Sequence, residues 1–321
     1  MGLQFHLKDL IAVYKTVVPG ALLCIGVNTI LGALAYQSFD ASSTHTLSAI
    51  MYGLCISVSS TVVLTRVLDD NKILHTPSGH TAIGWLVMED IFAILLLVLL
   101  PLIVTNNASS ATHGGVDFMG ILSTVGLVIL KIAALITIMV LLGRHLLPKV
   151  LSLVSKSSSS DLFTLSVLVL ALGIAVVSAY AFNASIEFGA FLSGMIVGQS
   201  KFSARAASEA LPLRDAFSVL FFLSVGMGFQ LDALYQDWQL ALATAAICII
   251  IKPLLSFTFL HLIGNTSRLS LSVSCSLSQI DEFSFILASL VCKTYGLLPQ
   301  AAVDTITGVA ILDSVVTSCI K

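Results

Sequence analysis

Apolar runs separated by short polar stretches recur along the whole chain. A helix needs about 20 predominantly apolar residues to cross the hydrocarbon core of a bilayer. Ten stretches qualify, at approximately 15–36, 47–67, 81–104, 119–142, 162–182, 185–200, 213–231, 238–263, 269–292 and 300–319. The pattern therefore predicts an all-α integral membrane protein of about ten transmembrane helices. The segment from Met1 to Lys8 is an amphipathic stub, with no basic region leading into a short apolar run and a cleavage site. Insertion is expected to come from the helices themselves.

Composition supports this reading. Apolar residue types make up 57% of the 321 residues and charged ones 10%, with a mean hydropathy of +1.03. A soluble domain carries roughly 25% charged residues to coat its surface, so this surface is expected to face lipid. The balance of 15 basic and 17 acidic residues gives no sign of nucleic-acid binding. The six cysteines are scattered singly through apolar runs without metal-ligand spacing, and read as small buried hydrophobes. No HExxH, GxGD or GxSG is present, so the sequence offers no intramembrane enzyme and calls for no cofactor.

The basic residues predict an orientation. Lys8 and Lys15 precede the first stretch; Arg66 and Lys72 follow the second; Arg144, Lys149 and Lys156 follow the fourth. Lys201, Arg205 and Arg214 follow the sixth, Arg268 the eighth and Lys321 the tenth. The loops between these, Gln37–Thr46, Thr105–Phe118 and Gln230–Asp237, hold neither Lys nor Arg, and only Lys293 breaks the alternation. Both termini are expected on the cytoplasmic side of the cell's inner membrane.

Three charged residues interrupt the apolar pattern in an energetically costly way. The third stretch carries Glu89 and Asp90 near its middle, and the eighth carries Lys252. One such charge costs about 2.5–3.5 kcal/mol at a helix centre on insertion scales, which is offset most simply if acid and base meet. The residues leave open a purely architectural salt bridge or an ion or proton site. The second stretch is broken by Ser57–Thr61 and the ninth by Ser274–Glu282, compositions that suit discontinuous helices lining a cavity. Stretches one to three and eight to ten run with opposite polarity. Each triplet has its polar interruption in the middle, which is the pattern of an inverted repeat around a midplane site.

On these residues the chain resembles the monovalent cation:proton antiporter-2 family, the Kef-type potassium/proton exchangers, nearest its YbaL branch. The segments that carry the likeness are SSTVVLTRVLDDNKILHTPSGHTAIGWLVMEDI, EFGAFLSGMIVGQSKFSARAASEALPLRDAFSVLFFLSVGM and SQIDEFSFILASL, with GLQFHLKDLIAVYKTVVPG matching the segment before the family's fourth helix. The resemblance implies thirteen helices, of which three are expected ahead of Met1. It also implies a core domain with two crossed broken helices and a dimerising scaffold. On that basis residues 1–321 form one exchanger domain, with core repeats at 13–104 and 238–319 and linker and scaffold helices at 119–231. Kef-type relatives continue into a nucleotide-binding domain beyond the position of Lys321, and no GxGxxG lies within these residues.

Residue by residue, the resemblance puts Asp90 on the ion-binding aspartate and Glu89 on the position before it. Lys252 falls on the basic residue of the core, Ser60 and Thr61 at the first broken helix, and Gln279 and Glu282 at the second. Asp281 stands where glycine is usual, Asp313 adds a carboxylate to the last helix, and the usual Asn-Pro is missing from ILDSVVTSCIK. The implied function is secondary exchange of potassium or sodium for protons, by a homodimer in its full-length form. A truncated, non-transporting remnant and a passive cation channel are the alternatives. Asp90 is expected to face the ion, with Ser60 and Thr61 as neutral ligands and either Glu89 or Asp90 paired with Lys252. Labels placed at Asn107 and at Lys156 should report opposite sides of the membrane, and labelling from the same side would refute the topology.

Overall fold

The computed structural model describes residues 7–39, 46–60, 64, 68, 72, 76–113, 130, 137, 141, 149–150, 152–154, 159–182, 189–190, 193–194, 197–198 and 201–320. Among them the secondary structure is helical. The elements are α1 (Leu7–Phe39), α2 (Thr46–Ser57), α3 (Pro77–His113), α4 (Ser160–Phe182), α5 (Ser203–Gly228), α6 (Leu231–Gln236), α7 (Trp238–Ala246), a π-helical turn (Ile247–Ile251), α8 (Lys252–Leu262), α9 (Ser267–Ser276), α10 (Glu282–Lys293) and α11 (Gln300–Ile320).

The apolar runs set where these helices lie, and polar residues set where they stop. Val17–Phe39 and Trp238–Leu262 are each long and apolar enough to cross a membrane, at 23 and 25 residues. The stretch expected at 47–67 ends as regular helix at Ser57, and that expected at 269–292 divides into α9 and α10, so neither is one continuous rod. Helix α5 begins at Ser203, ahead of the apolar run expected from 213. Its charges explain the extension, because Arg205 Nε donates to Glu209 Oε1 at 2.9 Å one turn on. The stretches expected at 119–142 and 185–200 lie largely outside the described residues.

Two compact units emerge, one from Lys8–Ala93 with Leu223–Lys321 and one from Met1–Leu7 with Ile94–Phe222. In the second unit α4 turns an apolar stripe outward: Leu162, Leu165, Val169, Leu172 and Val176 are all exposed. Their spacing of three and four residues defines one helical face. In water so continuous an apolar patch would be a liability; against lipid tails it is the expected surface. The polar side of α4 grips α5, where Thr164 Oγ1 donates to Glu209 Oε2 at 2.6 Å and the Arg205 guanidinium stands 4.2 Å over the Phe163 ring.

The first unit is built on close backbone approach. A Cβ on Gly32 would stand 2.7 Å from Gly53 Cα, and one on Gly53 would overlap the Thr29 carbonyl. Small residues at such a crossing let two membrane helices touch backbone to backbone. Beside the contact, the Tyr36 and Tyr52 rings stack at 4.9 Å, and Tyr52 Oη bonds Thr244 Oγ1 at 2.7 Å, fixing α2 to α7. The apolar core gathers Val17, Ala21 and Cys24 of α1, Ala82, Trp85 and Leu86 of α3, Leu260 of α8 and Val273 of α9. Gly53→Ala should lower apparent stability by about 1–3 kcal/mol through overpacking. Gly26→Ala, where a Cβ meets nothing within 4 Å, should be neutral or stabilising because alanine is the better helix former. Thermal unfolding in detergent checks the pair, and equal effects would refute the packing argument.

Candidate ion-binding site

The serine-rich interruptions do what their chemistry favours. Serine hydroxyls compete with backbone donors for nearby carbonyls. Ser57 Oγ donates to Leu54 O at 2.9 Å, Ser276 Oγ to Ser272 O at 2.9 Å and Ser278 Oγ to Cys275 O at 2.8 Å, all where regular helix ends. Past Ser57 the chain is non-helical through Ser60; past Ser276 it stays unwound to Asp281. Asp281 then restarts the helix as an N-cap, in extended backbone (φ −81°, ψ 162°), with its carboxylate accepting from Phe283 N.

The two unwound segments cross and pair. Ser59 and Ile280 form an isolated antiparallel bridge, and Ser60 N donates to Gln279 O at 2.9 Å. Each segment thereby supplies part of the hydrogen bonding that its broken helix lost, which backbone at membrane depth requires.

Charges hold the crossing from outside. Lys252 Nζ donates to Val58 O at 2.9 Å and, more distantly, to Ile56 O at 3.5 Å. The Glu89 carboxylate accepts Ser59 N at 2.8 Å on one oxygen and Trp85 Nε1 at 2.7 Å on the other. The carbonyl of Val58 and the N–H of Ser59 belong to one peptide group, so a base and an acid clamp the two ends of a single amide dipole. The ammonium also stands at the C-terminal end of α2, where unsatisfied carbonyls concentrate negative partial charge.

Lys252 reaches this place through a local irregularity. Pro253 has no N–H and crowds the carbonyl of the preceding turn, and the helix responds with the π-helical turn Ile247–Ile251 directly before Lys252, whose N–H bonds Ile247 O. Lys252 is 1% exposed, Glu89 2% and Asp90 5%.

The sequence-predicted residues fall as follows. Ser60 and Gln279 meet through their backbones; Glu89 and Lys252 are joined through the Val58–Ser59 peptide, where a direct acid–base pair was expected. Asp90 is buried beside Glu89, about 100° further round α3. Glu282 is half-buried as the first residue of α10, and Thr61 lies outside the described residues. Asp313 of α11 comes to the second break, its Oδ1 3.3 Å from Ser278 Oγ. Sequence reasoning missed Trp85, although its place four residues before Glu89 on a helix was a usable signal, and it missed the capping role of Asp281.

The whole of this architecture lies inside one known family. The profile described as sodium/hydrogen exchanger, transmembrane, matches residues 1–320. The chain belongs to that family. It is accordingly a membrane-embedded helical protein. It is 44% identical over 312 residues to YbaL of Escherichia coli (strain K12), whose name assigns it cation/proton antiport provisionally; the match covers 97% of this chain and 54% of YbaL. It is 27% identical to the chloroplastic K(+) efflux antiporter 1 of Arabidopsis thaliana over 89% of this chain and 23% of that protein. It is likewise 27% identical to K(+) efflux antiporter 6 of the same plant, over 90% and 47% of the two chains. The chain thus spans about half the length of YbaL and less of these two others.

The clamp makes a specific prediction. Glu89→Gln puts an amide NH2 against one of two N–H donors, and Trp85→Phe strips one carboxylate oxygen of its partner. Each should lower stability by about 1.5–3 kcal/mol, the range for a bond to a charged group. The double variant should lose clearly less than their sum, because the introduced amide then faces a single donor. Thermal unfolding of the four proteins measures the coupling, and simple additivity would refute it.

Proposed function

We propose that this chain forms the transmembrane part of a secondary transporter that exchanges a monovalent cation for protons. The observation that supports this most is the crossing itself: two unwound segments, paired backbone to backbone, with Glu89, Asp90 and Lys252 buried around them. Such discontinuous helices expose backbone carbonyls and half-helix ends that can replace the hydration shell of a small ion.

In this reading Asp90 is the carboxylate for which cation and proton compete. Its neighbour Glu89 has both oxygens engaged by Ser59 and Trp85 and holds the crossing, while the family resemblance puts the exchanged charge on Asp90. Ser60 and Thr61 supply neutral oxygens, Lys252 fixes the end of α2, and Gln279 and Glu282 shape the second break. Exchange follows if the helices bearing the crossing move only when Asp90 holds a cation or a proton. The names of the Arabidopsis relatives favour potassium over sodium as the cation. We assign the repeats at 13–104 and 238–319 to the moving core, residues 119–231 to linker and scaffold, both termini to the cytoplasmic side of the inner membrane, and a homodimer to the full-length protein.

In proteoliposomes, Asp90→Asn should abolish cation-dependent proton movement, while wild-type protein should dissipate a pH gradient faster with potassium than with sodium. Wild-type rates in Asp90→Asn would overturn the assignment. Cation flux without proton movement would identify a channel instead.

A further inference from the structure

At the head of α10 two buried oxygens have no hydrogen-bond partner among the described residues. Asp281 is 0% exposed; its Oδ2 accepts Phe283 N at 3.1 Å, and its Oδ1 is left unpartnered. Ser284 is 1% exposed, and its Oγ is likewise unpartnered. The two residues are neighbours in space. Asp281 is the N-cap and Ser284 the third residue of the helix, joined by Ser284 N donating to Asp281 O at 3.2 Å. In a capping box these two positions face each other, with a long Glu or Gln side chain reaching back to the N-cap amide. Serine is too short for that reach, which leaves its hydroxyl and the free carboxylate oxygen flanking the first turn.

A carboxyl group in a dry interior takes up a proton unless a positive partner holds its charge. Lys252 does not supply it, because its donors go to Ile56 and Val58 carbonyls. Glu282, the next residue in the chain, places a second carboxyl group at the head of the same helix. The two unpartnered atoms are hard oxygens, one charged and one neutral, a set that suits alkali and alkaline-earth ions over softer metals. With a single free carboxylate oxygen, the charge count matches a monovalent ion.

We propose that Asp281 Oδ1 and Ser284 Oγ form a second binding position for an alkali-metal cation, separate from that of Asp90. The proposal deepens the exchange function argued above and rests on it. It gives the crossing two places for cations, Asp90 on α3 and Asp281 at the head of α10. Occupancy at α10 would satisfy the two stranded oxygens and steady the start of the helix whose preceding residues pair with Ser59 and Ser60.

The test is equilibrium binding of radiolabelled rubidium and sodium to the purified full chain in detergent. Wild-type protein should bind two cations. Asp281→Asn and Asp281→Ser should each bind one; both replacements cap helices as well as aspartate does, so the start of α10 persists. Ser284→Ala removes a hydroxyl with no partner among the described residues. It should leave cation-free thermal stability unchanged while weakening one of the two affinities about tenfold. Asp90→Asn should lose the other cation. Two cations at wild-type affinity in all three α10 variants would overturn the proposal, as would a wild-type stoichiometry of one that Asp90→Asn alone abolishes. A single cation lost in Asp281→Asn but kept in Asp90→Asn would uphold the α10 position and overturn the role given to Asp90.

Discussion

The Val58–Ser59 peptide is the group on which the rest of the site depends. It lies where α2 has stopped and no helix satisfies it, in surroundings where an unpaired backbone group costs several kcal/mol. Lys252 takes its carbonyl and Glu89 takes its N–H. A trans amide directs these two groups to opposite sides, so the acid and the base approach from different elements, α3 and α8. The three elements are therefore tied together at a point, and the two charges neutralise one another through a dipole placed between them.

That requirement spreads outward. Trp85 must stand one turn before Glu89 to occupy its second oxygen, and its ring packs edge-on to Phe259 of α8 at 5.3 Å. Pro253 must follow Lys252 so that the helix loosens by one residue in the turn before it. The π-helical turn is a common device for re-aiming a functional side chain without ending a helix. Ser59 and Ser60, released from helical bonding, are then available to pair with Ile280 and Gln279. Loss of regular structure in one half-helix is met by the same loss in the other.

Much of this was legible in the sequence because a membrane makes polar residues conspicuous. Glu89, Asp90 and Lys252 stand out in apolar runs, and the clusters at Ser57–Thr61 and Ser274–Glu282 mark both breaks. What could not be read was the pairing. Lys252 and Val58 are 194 positions apart in the chain, and nothing local says that an ammonium will prefer two carbonyls to a nearby carboxylate. Helix α5 starts ahead of its apolar stretch, and hydropathy does not show this because it ignores the ion pair that lets Arg205 and Glu209 lengthen a helix past its apolar segment. Asp281 read as a foreign charge where glycine was expected; in three dimensions it begins a helix, a role that depends on where the preceding break ends.

The contact between Gly32 and Gly53 has a mechanical side. Two helices that meet through side chains can slide, since rotamers give way by an ångström or more. Where backbone meets backbone there is no such compliance, and the Tyr36–Tyr52 stack closes the neighbouring gap. Beyond Pro19, which removes one helix hydrogen bond, the 20 residues of α1 that end at Phe39 act with α2 as a single stiff rod about 30 Å long at 1.5 Å per residue. Any tilt of the half-helix that ends at Ser57 is transmitted undamped to both ends of that rod, so a small displacement deep in the membrane becomes a larger sweep at its surface.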